Sequence, residues 1–226
     1  MNDKLTKGAI CLDEQGRCSA VNRLKVLERE VEALSSLVHT DTLTGLFNYR
    51  HLIQALDSEM ERSARSGRPA ALVALDLDHF KQVNDRWGHD AGNQVLVEVA
   101  WRLRQCIRKL DIPCRYGGEE IFIILPDTSL RQALRVAKRI RCSIAEQPFD
   151  TDQGPINVTA SLGLELYEGH EAQTPTDFIR YADRQLYQAK QTGRNRCCHP
   201  PLPETSPVTE NEKQALFNSF QNRGES

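Results

Sequence analysis

Short apolar runs alternate with amphipathic helical patterns from about residue 45 to residue 193, and this alternation limits the fold more than any other feature of the chain. The runs read ALVALDLD, IFIILP and INVTASLGLELY, and four helical patterns flank them. Short branched runs are typical of buried strands, whereas apolar residues at spacings of three and four predict helices. The pattern predicts an α/β or α+β domain in which helices cover a central sheet.

Composition narrows the class of protein. A chain of 226 residues is long enough for one globular domain with appendages, and a net charge of −2 gives no basic field for nucleic acid. No apolar run approaches the length of a membrane span, and the N-terminus has no signal-peptide pattern. Seven cysteines without zinc-site spacing indicate reduced thiols. We therefore expect a cytoplasmic protein without nucleic acid as a partner.

Both ends of the chain differ from the middle. Residues 1–20 suggest a small hairpin, and residues 198–226, rich in Pro, Ser, Thr and Glu, predict a disordered tail. Between residues 21 and 40, apolar side chains recur at alternating spacings of three and four, which predicts a short coiled-coil stalk. The alternative is an amphipathic helix packed on its own domain. The apolar positions are Leu24, Leu27, Val31, Leu34 and Val38.

Carboxylates lie at the end of the first predicted strand and at the start of the second. Asp76 and Asp78 share a face if the strand continues through both. The pair Glu119–Glu120 follows two glycines that predict a tight hairpin turn, so these glutamates can meet Asp76 from the neighbouring strand. Oxygen ligands of this kind suit Mg²⁺ together with substrate phosphates. The alternative is a solvated acidic turn.

Cationic side chains near the last predicted helix supply the complementary half of a nucleotide site. Lys190 and Arg194 are four residues apart, which predicts that they lie on one face of a helix end and hold phosphate oxygens. A nucleoside triphosphate site requires both carboxylates that bind the metal ion and cationic side chains that bind the phosphates.

Four sequence blocks occur in a fixed order: DTLTGLFNYR, DLDHFKQVNDRWGHDAGN, RYGGEEI and ADRQLYQAKQTGRN. Together they resemble the GGDEF-domain family of diguanylate cyclases over residues 41–197. The resemblance implies a palm-like nucleotide cyclase fold, with a mainly antiparallel central sheet surrounded by helices. It also implies that two GTP molecules, one on each subunit of a head-to-head homodimer, are condensed into cyclic di-GMP with release of pyrophosphate.

The resemblance also assigns roles to individual residues. It implies two Mg²⁺ ions in each active site, with Mn²⁺ as a substitute, and a base site in the second block. The opening motif, Asp41 with Leu43 and Thr44, is expected to position the first helix and the dimer contact. The implied metal ligands are Asp76, the carbonyl of Leu77, Glu119 and Glu120; the implied catalytic residues are Glu119, Glu120 and Lys81; the implied substrate-binding residues are Asn84, His89, Asn93, Lys190 and Arg194.

Two positions depart from the family pattern. Ile121 replaces the usual Phe of the signature, a swap between apolar core residues that we expect to have little effect. Asn93 replaces the usual Asp of the base site, which keeps an acceptor but loses the charge that strengthens its hydrogen bonds. Weaker GTP binding or relaxed base choice is therefore one alternative, and a non-catalytic module that binds GTP or cyclic di-GMP is another.

Control of the enzyme is expected at two places. Arg108 and Asp111 stand at the spacing of the family's inhibitory site, which implies feedback by the product cyclic di-GMP; the alternative is a surface ion pair at a helix end. About 40 residues precede the domain, too few for a sensory pocket. We therefore expect a separate activating protein to bind this N-terminal segment and stabilise the dimer.

Overall fold

The computed structural model describes residues 23–27, 39–169 and 173–202. The predicted hairpin, most of the predicted stalk and most of the predicted tail lie outside these residues and stay predictions. Residues 23–27 are helical, and Leu24 and Leu27 are at least half exposed there. No helix in the described part of the chain is long and apolar enough to cross a membrane.

Four helices lie within residues 39–202 of the described chain, and three of them begin at a residue with a capping side chain. The Asn48 side chain accepts a hydrogen bond from the His51 amide at the first helix, while Ser129 and Thr174 form capping boxes at the third and fourth. The helices are α1 (Tyr49–Ser66), α2 (Phe80–Gln105), α3 (Leu130–Ala145) and α4 (Pro175–Gln191).

The central sheet has five strands in the order β2-β3-β1-β6-β7, and a separate ribbon is formed by β4 and β5. Within the central sheet all neighbours pair antiparallel except β6 and β7. The mainly antiparallel sheet predicted for the domain is confirmed. The strands are β1 (Ala70–Leu77), β2 (Ile112–Gly117), β3 (Glu120–Leu125), β4 (Phe149–Thr151), β5 (Gly154–Ile156), β6 (Ala160–Tyr167) and β7 (Cys197–Cys198).

Strand β1 lies at the centre and is buried along its whole length. Its alternate side chains enter two different cores: Val73 and Leu75 pack with α2 and α3, whereas Leu72 and Ala74 pack with α1 and α4. A strand covered on both faces reads as a continuous apolar run, which is why ALVAL shows no alternation. Asp76 has the same parity as Leu72 and Ala74, so it points toward the side of α1 and α4.

The structure changes two of the predicted elements. The single strand predicted from INVTASLGLELY is divided, because β5 ends at Ile156 and β6 begins at Ala160. The intervening Thr159 carbonyl instead accepts a hydrogen bond from the Asp78 amide at the end of β1. The amphipathic pattern that starts at Ala91 belongs to a longer helix, α2, which begins at Phe80. Gly88, with φ 84° and ψ 161°, kinks this helix.

Candidate active site

Asp76 and the two glutamates of the signature meet at the edge where β1 ends, as predicted. Antiparallel pairing places Asp76 opposite Glu120, and Glu119 occupies the turn that joins β2 to β3. Gly118 has a φ of 52°, so the second glycine of the signature supplies the left-handed residue that the turn needs. The fold thus brings together carboxylates that are more than forty positions apart in the chain.

Negative charge is concentrated in this cluster. Burial raises the pKa of Asp76, and the nearby Glu119 and Asp78 carboxylates raise it further against the opposing effect of Lys190. Burial and the Asp76 carboxylate likewise raise the pKa of Glu120. Partial burial and the Glu120 carboxylate raise the pKa of Asp183 to about 6. Burial is thus the main cause of the raised pKa values in this cluster, and repulsion between its carboxylates adds to it.

Lys190 Nζ lies 2.8 Å from Asp76 Oδ2, at the last turn of α4. The prediction that Lys190 and Arg194 share a helix face is wrong, because α4 ends at Gln191 and Arg194 adopts a left-handed φ of 59° after the turn. Both cations nevertheless line one cavity of about 200 Å³, together with Lys81, Asp76 and Glu119. The turn after α4, rather than the helix itself, directs Arg194 to this cavity.

The first turn of α2 also borders this cavity. Its N-cap residue, His79, has a left-handed φ of 58° and makes no capping hydrogen bond with its side chain. Backbone amides at the start of a helix point outward, and the helix dipole favours an anion there. Phe80 and Lys81 line the cavity beside His79, so this helix end is suited to phosphate oxygens.

Asp78, which lies two residues from Asp76, has a different environment. Its carboxylate accepts hydrogen bonds from Thr159 Oγ1 at 2.6 Å, Ser161 Oγ at 2.6 Å and the backbone N–H of Asn195 at 3.0 Å. The side chain is 6% exposed. Asp78 therefore joins the end of β1 to β6 and to the turn that carries Arg194, whereas Asp76 remains beside the other carboxylates.

The donor set fits a divalent metal ion. Among the described residues, no three acidic, imidazole or thiol side chains already converge tightly enough to form a metal site. Yet Asp76, Glu119 and Glu120 offer carboxylate oxygens of the type that Mg²⁺ prefers. Leu77 also lines the cavity and can offer its backbone carbonyl oxygen. Burial and mutual repulsion disfavour the ionised forms of Asp76 and Glu120, and a cation bound between them would offset both effects.

The three predicted base-site residues all lie on α2 around its kink. Asn84 is half-buried, and its amide makes no hydrogen bond within the described part of the chain, while His89 and Asn93 are exposed. The kink brings the Asn84 side chain against Gly92, the residue before Asn93. The Asn84 side chain therefore lies beside the backbone next to Asn93, although nine positions separate the two residues.

Asp41 of the opening motif fixes the hairpin that carries the glutamates. Its carboxylate accepts hydrogen bonds from the Thr44 amide and hydroxyl and from Arg115 Nη1, at 2.6–3.0 Å. Burial raises the pKa of Asp41, but the hydrogen bonds from Thr44 and Arg115 outweigh this effect and hold the pKa below its usual value. Arg115 Nε also donates to the Gly118 carbonyl. This role of Arg115 was not predicted from the sequence, although its position directly before Tyr116 and the two glycines of the turn could have indicated it.

The Arg108–Asp111 pair lines a second cavity, which shares no lining residue with the carboxylate cavity. The Asp111 carboxylate is 6% exposed and accepts a hydrogen bond from the Arg108 backbone amide at 2.7 Å, so it is not the exposed ion pair considered as the alternative. Burial raises the pKa of Asp111, whereas the nearby charges of Arg108 and Arg139 lower it by a smaller amount. A cavity of about 290 Å³ beside it is lined by Arg104, Arg108, Lys109 and Asp111. Arg139 was not predicted from the sequence.

Comparison with known proteins gives consistent matches. The profile of the family described as "Diguanylate cyclase, GGDEF domain" matches residues 38–196. The response regulator PleD of Caulobacter vibrioides is 44% identical over 171 residues, which are 75% of this chain and 37% of PleD. The matched region spans less than half the length of each curated relative reported for this chain.

Two solved structures are similar in fold as well as in sequence. Diguanylate cyclase SiaD from Pseudomonas aeruginosa, solved in complex with its activator SiaC, has a TM-score of 0.69 and 38% identity, covering 80% of this chain and 69% of that one. The coiled coil and GGDEF domain of DgcB from Caulobacter crescentus, in complex with c-di-GMP, has a TM-score of 0.68 and 27% identity, covering 80% and 95%.

Proposed function

Because the chain belongs to the GGDEF-domain family of diguanylate cyclases, we propose that it condenses two GTP molecules into cyclic di-GMP and releases two pyrophosphates. The observation that carries the proposal is one cavity in which Asp76 and Glu119 face Lys81, Lys190 and Arg194. Carboxylates hold cations and the basic side chains hold phosphates, so the cavity has both halves of a site for a metal-bound triphosphate.

The proposed reaction is a double nucleotidyl transfer. The 3′-hydroxyl oxygen of each GTP bonds to the α-phosphorus of the other, and each bond from the α-phosphorus to the bridging oxygen of the β-phosphate breaks to release pyrophosphate. Asp76, the Leu77 carbonyl and Glu119 would hold one divalent cation, and Glu120 would hold a second. When bound, such cations polarise the phosphoryl oxygens and stabilise the attacking and leaving oxygens.

The chain's own side chains position the phosphates and move the proton. Lys81, Lys190 and Arg194 stabilise the charge that develops on the phosphoryl oxygens, aided by the helix dipole at the start of α2. Glu119, which lines the cavity, accepts the proton from the attacking 3′-hydroxyl. Asn84, His89 and Asn93 contact the guanine base.

Analysis of the products from GTP and from ATP tests this function and separates it from the two alternatives. With Mg²⁺ and GTP, we expect one product, cyclic di-GMP, and two pyrophosphates for each molecule formed. GTP binding without any product would support the non-catalytic module. Adenine-containing cyclic dinucleotides from mixed substrates would show that Asn93 has relaxed the choice of base.

The reaction needs two loaded subunits, so we propose that residues 21–40 form a parallel stalk and that an activating protein binds the N-terminal segment. Two comparisons support this proposal: SiaD was solved with an activator, and the DgcB structure includes a coiled coil. A short stalk is marginally stable, so a ligand that binds its assembled form shifts the population toward the dimer.

Deletion of residues 1–38 tests the stalk. We expect a folded and mainly monomeric domain that has lost at least about tenfold in activity at submicromolar concentration, because association is no longer assisted. A two-stranded leucine zipper fused in the same heptad phase should restore the rate, whereas the same zipper with a two-residue insertion should not. Full activity of the deleted protein at equal dilution would contradict the proposal.

We further propose that cyclic di-GMP inhibits the enzyme through the cavity beside Arg108 and Asp111. Three cationic side chains, those of Arg104, Arg108 and Lys109, line this cavity and suit the two phosphates of the product. The buried Asp111 carboxylate accepts the Arg108 amide, which fixes the turn before β2 and hence the position of the Arg108 side chain.

Replacing Arg108 by alanine should raise the inhibition constant of cyclic di-GMP at least about tenfold, because a charge-assisted contact is lost. The initial rate without product should stay within about twofold of the parent, since Arg108 is remote from the carboxylate cavity. Arg65→Ala, which removes an exposed arginine of α1, is the matched control and should leave inhibition unchanged. Progress curves that slow equally in Arg108→Ala and the parent would rule out a regulatory role.

A further inference from the structure

We propose that Gly92 positions the Asn84 amide for contact with the nucleotide base, because the space that a side chain at residue 92 would fill is occupied by Asn84. This inference rests on the proposed function, in which Asn84 contacts guanine. It adds a residue that itself has no side chain with which to bind a ligand, so its effect is exerted through Asn84.

The contact depends on the kink in α2. In a straight helix, residues eight positions apart are separated by about 12 Å along the axis, so their side chains do not meet. Gly88 has φ 84° and ψ 161°, a conformation that is essentially restricted to glycine, and it divides the helix between Asn84 and Gly92. The first segment therefore folds back, and the Asn84 side chain lies on the backbone of the second.

The fit at residue 92 is tight. A β-carbon built there would overlap Asn84 Oδ1 and would lie 3.1 Å from Asn84 Cγ and 3.4 Å from Phe80 Cζ. Phe80 is 3% exposed and belongs to the core, so it cannot move aside easily. The Asn84 amide is the end of a rotatable side chain, so a methyl group at residue 92 would displace Asn84 and leave the backbone in place.

Packing, rather than hydrogen bonding, orients Asn84. Within the described part of the chain its amide makes no hydrogen bond, which leaves the oxygen and the nitrogen available to a ligand. The χ2 torsion of asparagine has no sharp intrinsic preference. Without a hydrogen-bond partner, the amide is therefore oriented only by the surfaces that it touches. The bare backbone of Gly92 is such a surface, so it determines where the amide is held.

Stability and base binding should therefore respond in opposite directions to Gly92→Ala. Gly92 lies inside α2 and does not have a positive φ, so alanine is compatible with its backbone and is a better helix former. A residue with a merely structural role would lower the melting temperature when replaced. For Gly92→Ala we expect an equal or higher melting temperature together with weaker GTP binding.

A double-mutant cycle on the full chain tests the inference. The probe is a GTP analogue with a methylene group between the α- and β-phosphates, which cannot release pyrophosphate, titrated in Mg²⁺ by calorimetry. We expect Asn84→Ala and Gly92→Ala each to raise the dissociation constant about tenfold, the scale of one lost hydrogen-bonded contact. The double variant should bind no more weakly than Asn84→Ala alone, because the group that alanine displaces is already absent.

Inorganic tripolyphosphate is the matched control ligand, and its affinity should not change in either variant. Parent-like binding of the GTP analogue by Gly92→Ala, beside weakened binding by Asn84→Ala, would overturn the inference and leave the base contact intact. Additive losses in the double variant, or a lowered melting temperature for Gly92→Ala, would also overturn it. Parent-like binding by Asn84→Ala would remove the base contact itself, and the inference with it.

Discussion

Replacement of Glu119 and Glu120 together by glutamine is expected to reduce cyclic di-GMP synthesis by at least about a thousandfold, because the reaction loses the charged oxygens proposed to hold its cations. Glutamine keeps the size of each side chain and can still accept hydrogen bonds. A loss of activity would therefore show that the negative charge of these two residues is required. Pyrophosphate release and chromatography of the product at saturating GTP and Mg²⁺ measure the effect.

The same double variant should fold as well as the parent. Burial and Asp76 raise the pKa of Glu120, so the ionised form is disfavoured by folding at neutral pH, and a neutral amide removes that cost. We therefore expect an unchanged or higher melting temperature. The matched control is Glu61→Gln with Glu146→Gln, two exposed glutamates far from the cluster, which should retain full activity. More than a few per cent of parental activity in the Glu119/Glu120 variant would contradict the assignment.

Replacement of Asp78 by alanine is expected to lower the free energy of unfolding by about 3 kcal/mol or more, because each buried donor left without an acceptor costs about 1–3 kcal/mol. Three donors would lose their acceptor: the hydroxyls of Thr159 and Ser161 and the amide of Asn195. The alanine side chain is also too short to join β1 to the turn after α4. Urea denaturation followed by circular dichroism gives the difference.

Asp76→Asn is the matched control for Asp78→Ala. Burial raises the pKa of Asp76, and its ion pair with Lys190 is partly exposed, so neutralising Asp76 should change the free energy of unfolding by less than about 1 kcal/mol. Asp76→Asn should nevertheless abolish synthesis. Equal stability of the two variants would show that Asp78 is not the structural anchor inferred from its hydrogen bonds.

Much of the fold and of the cavity could be predicted from the sequence, because apolar periodicity and turn residues are local properties. The continuous apolar run of β1 indicated a buried strand, and the Gly-Gly pair indicated the turn before Glu119. Once β1 and β3 pair antiparallel, the positions of Asp76 and Glu120 at adjacent strand ends follow. The four sequence blocks indicated the family, which the comparisons confirm.

The tertiary structure alone decided how neighbouring residues divide their roles. Asp76 and Asp78 look equivalent in the sequence, but β1 ends at Leu77, and partners 81, 83 and 117 positions away bind Asp78. Likewise, the helix containing Lys190 stops before Arg194, and the Gly88 kink brings Asn84 onto Gly92. These contacts depend on where an element ends and on what a distant segment places beside it. A local pattern of apolar and polar residues carries no information about either.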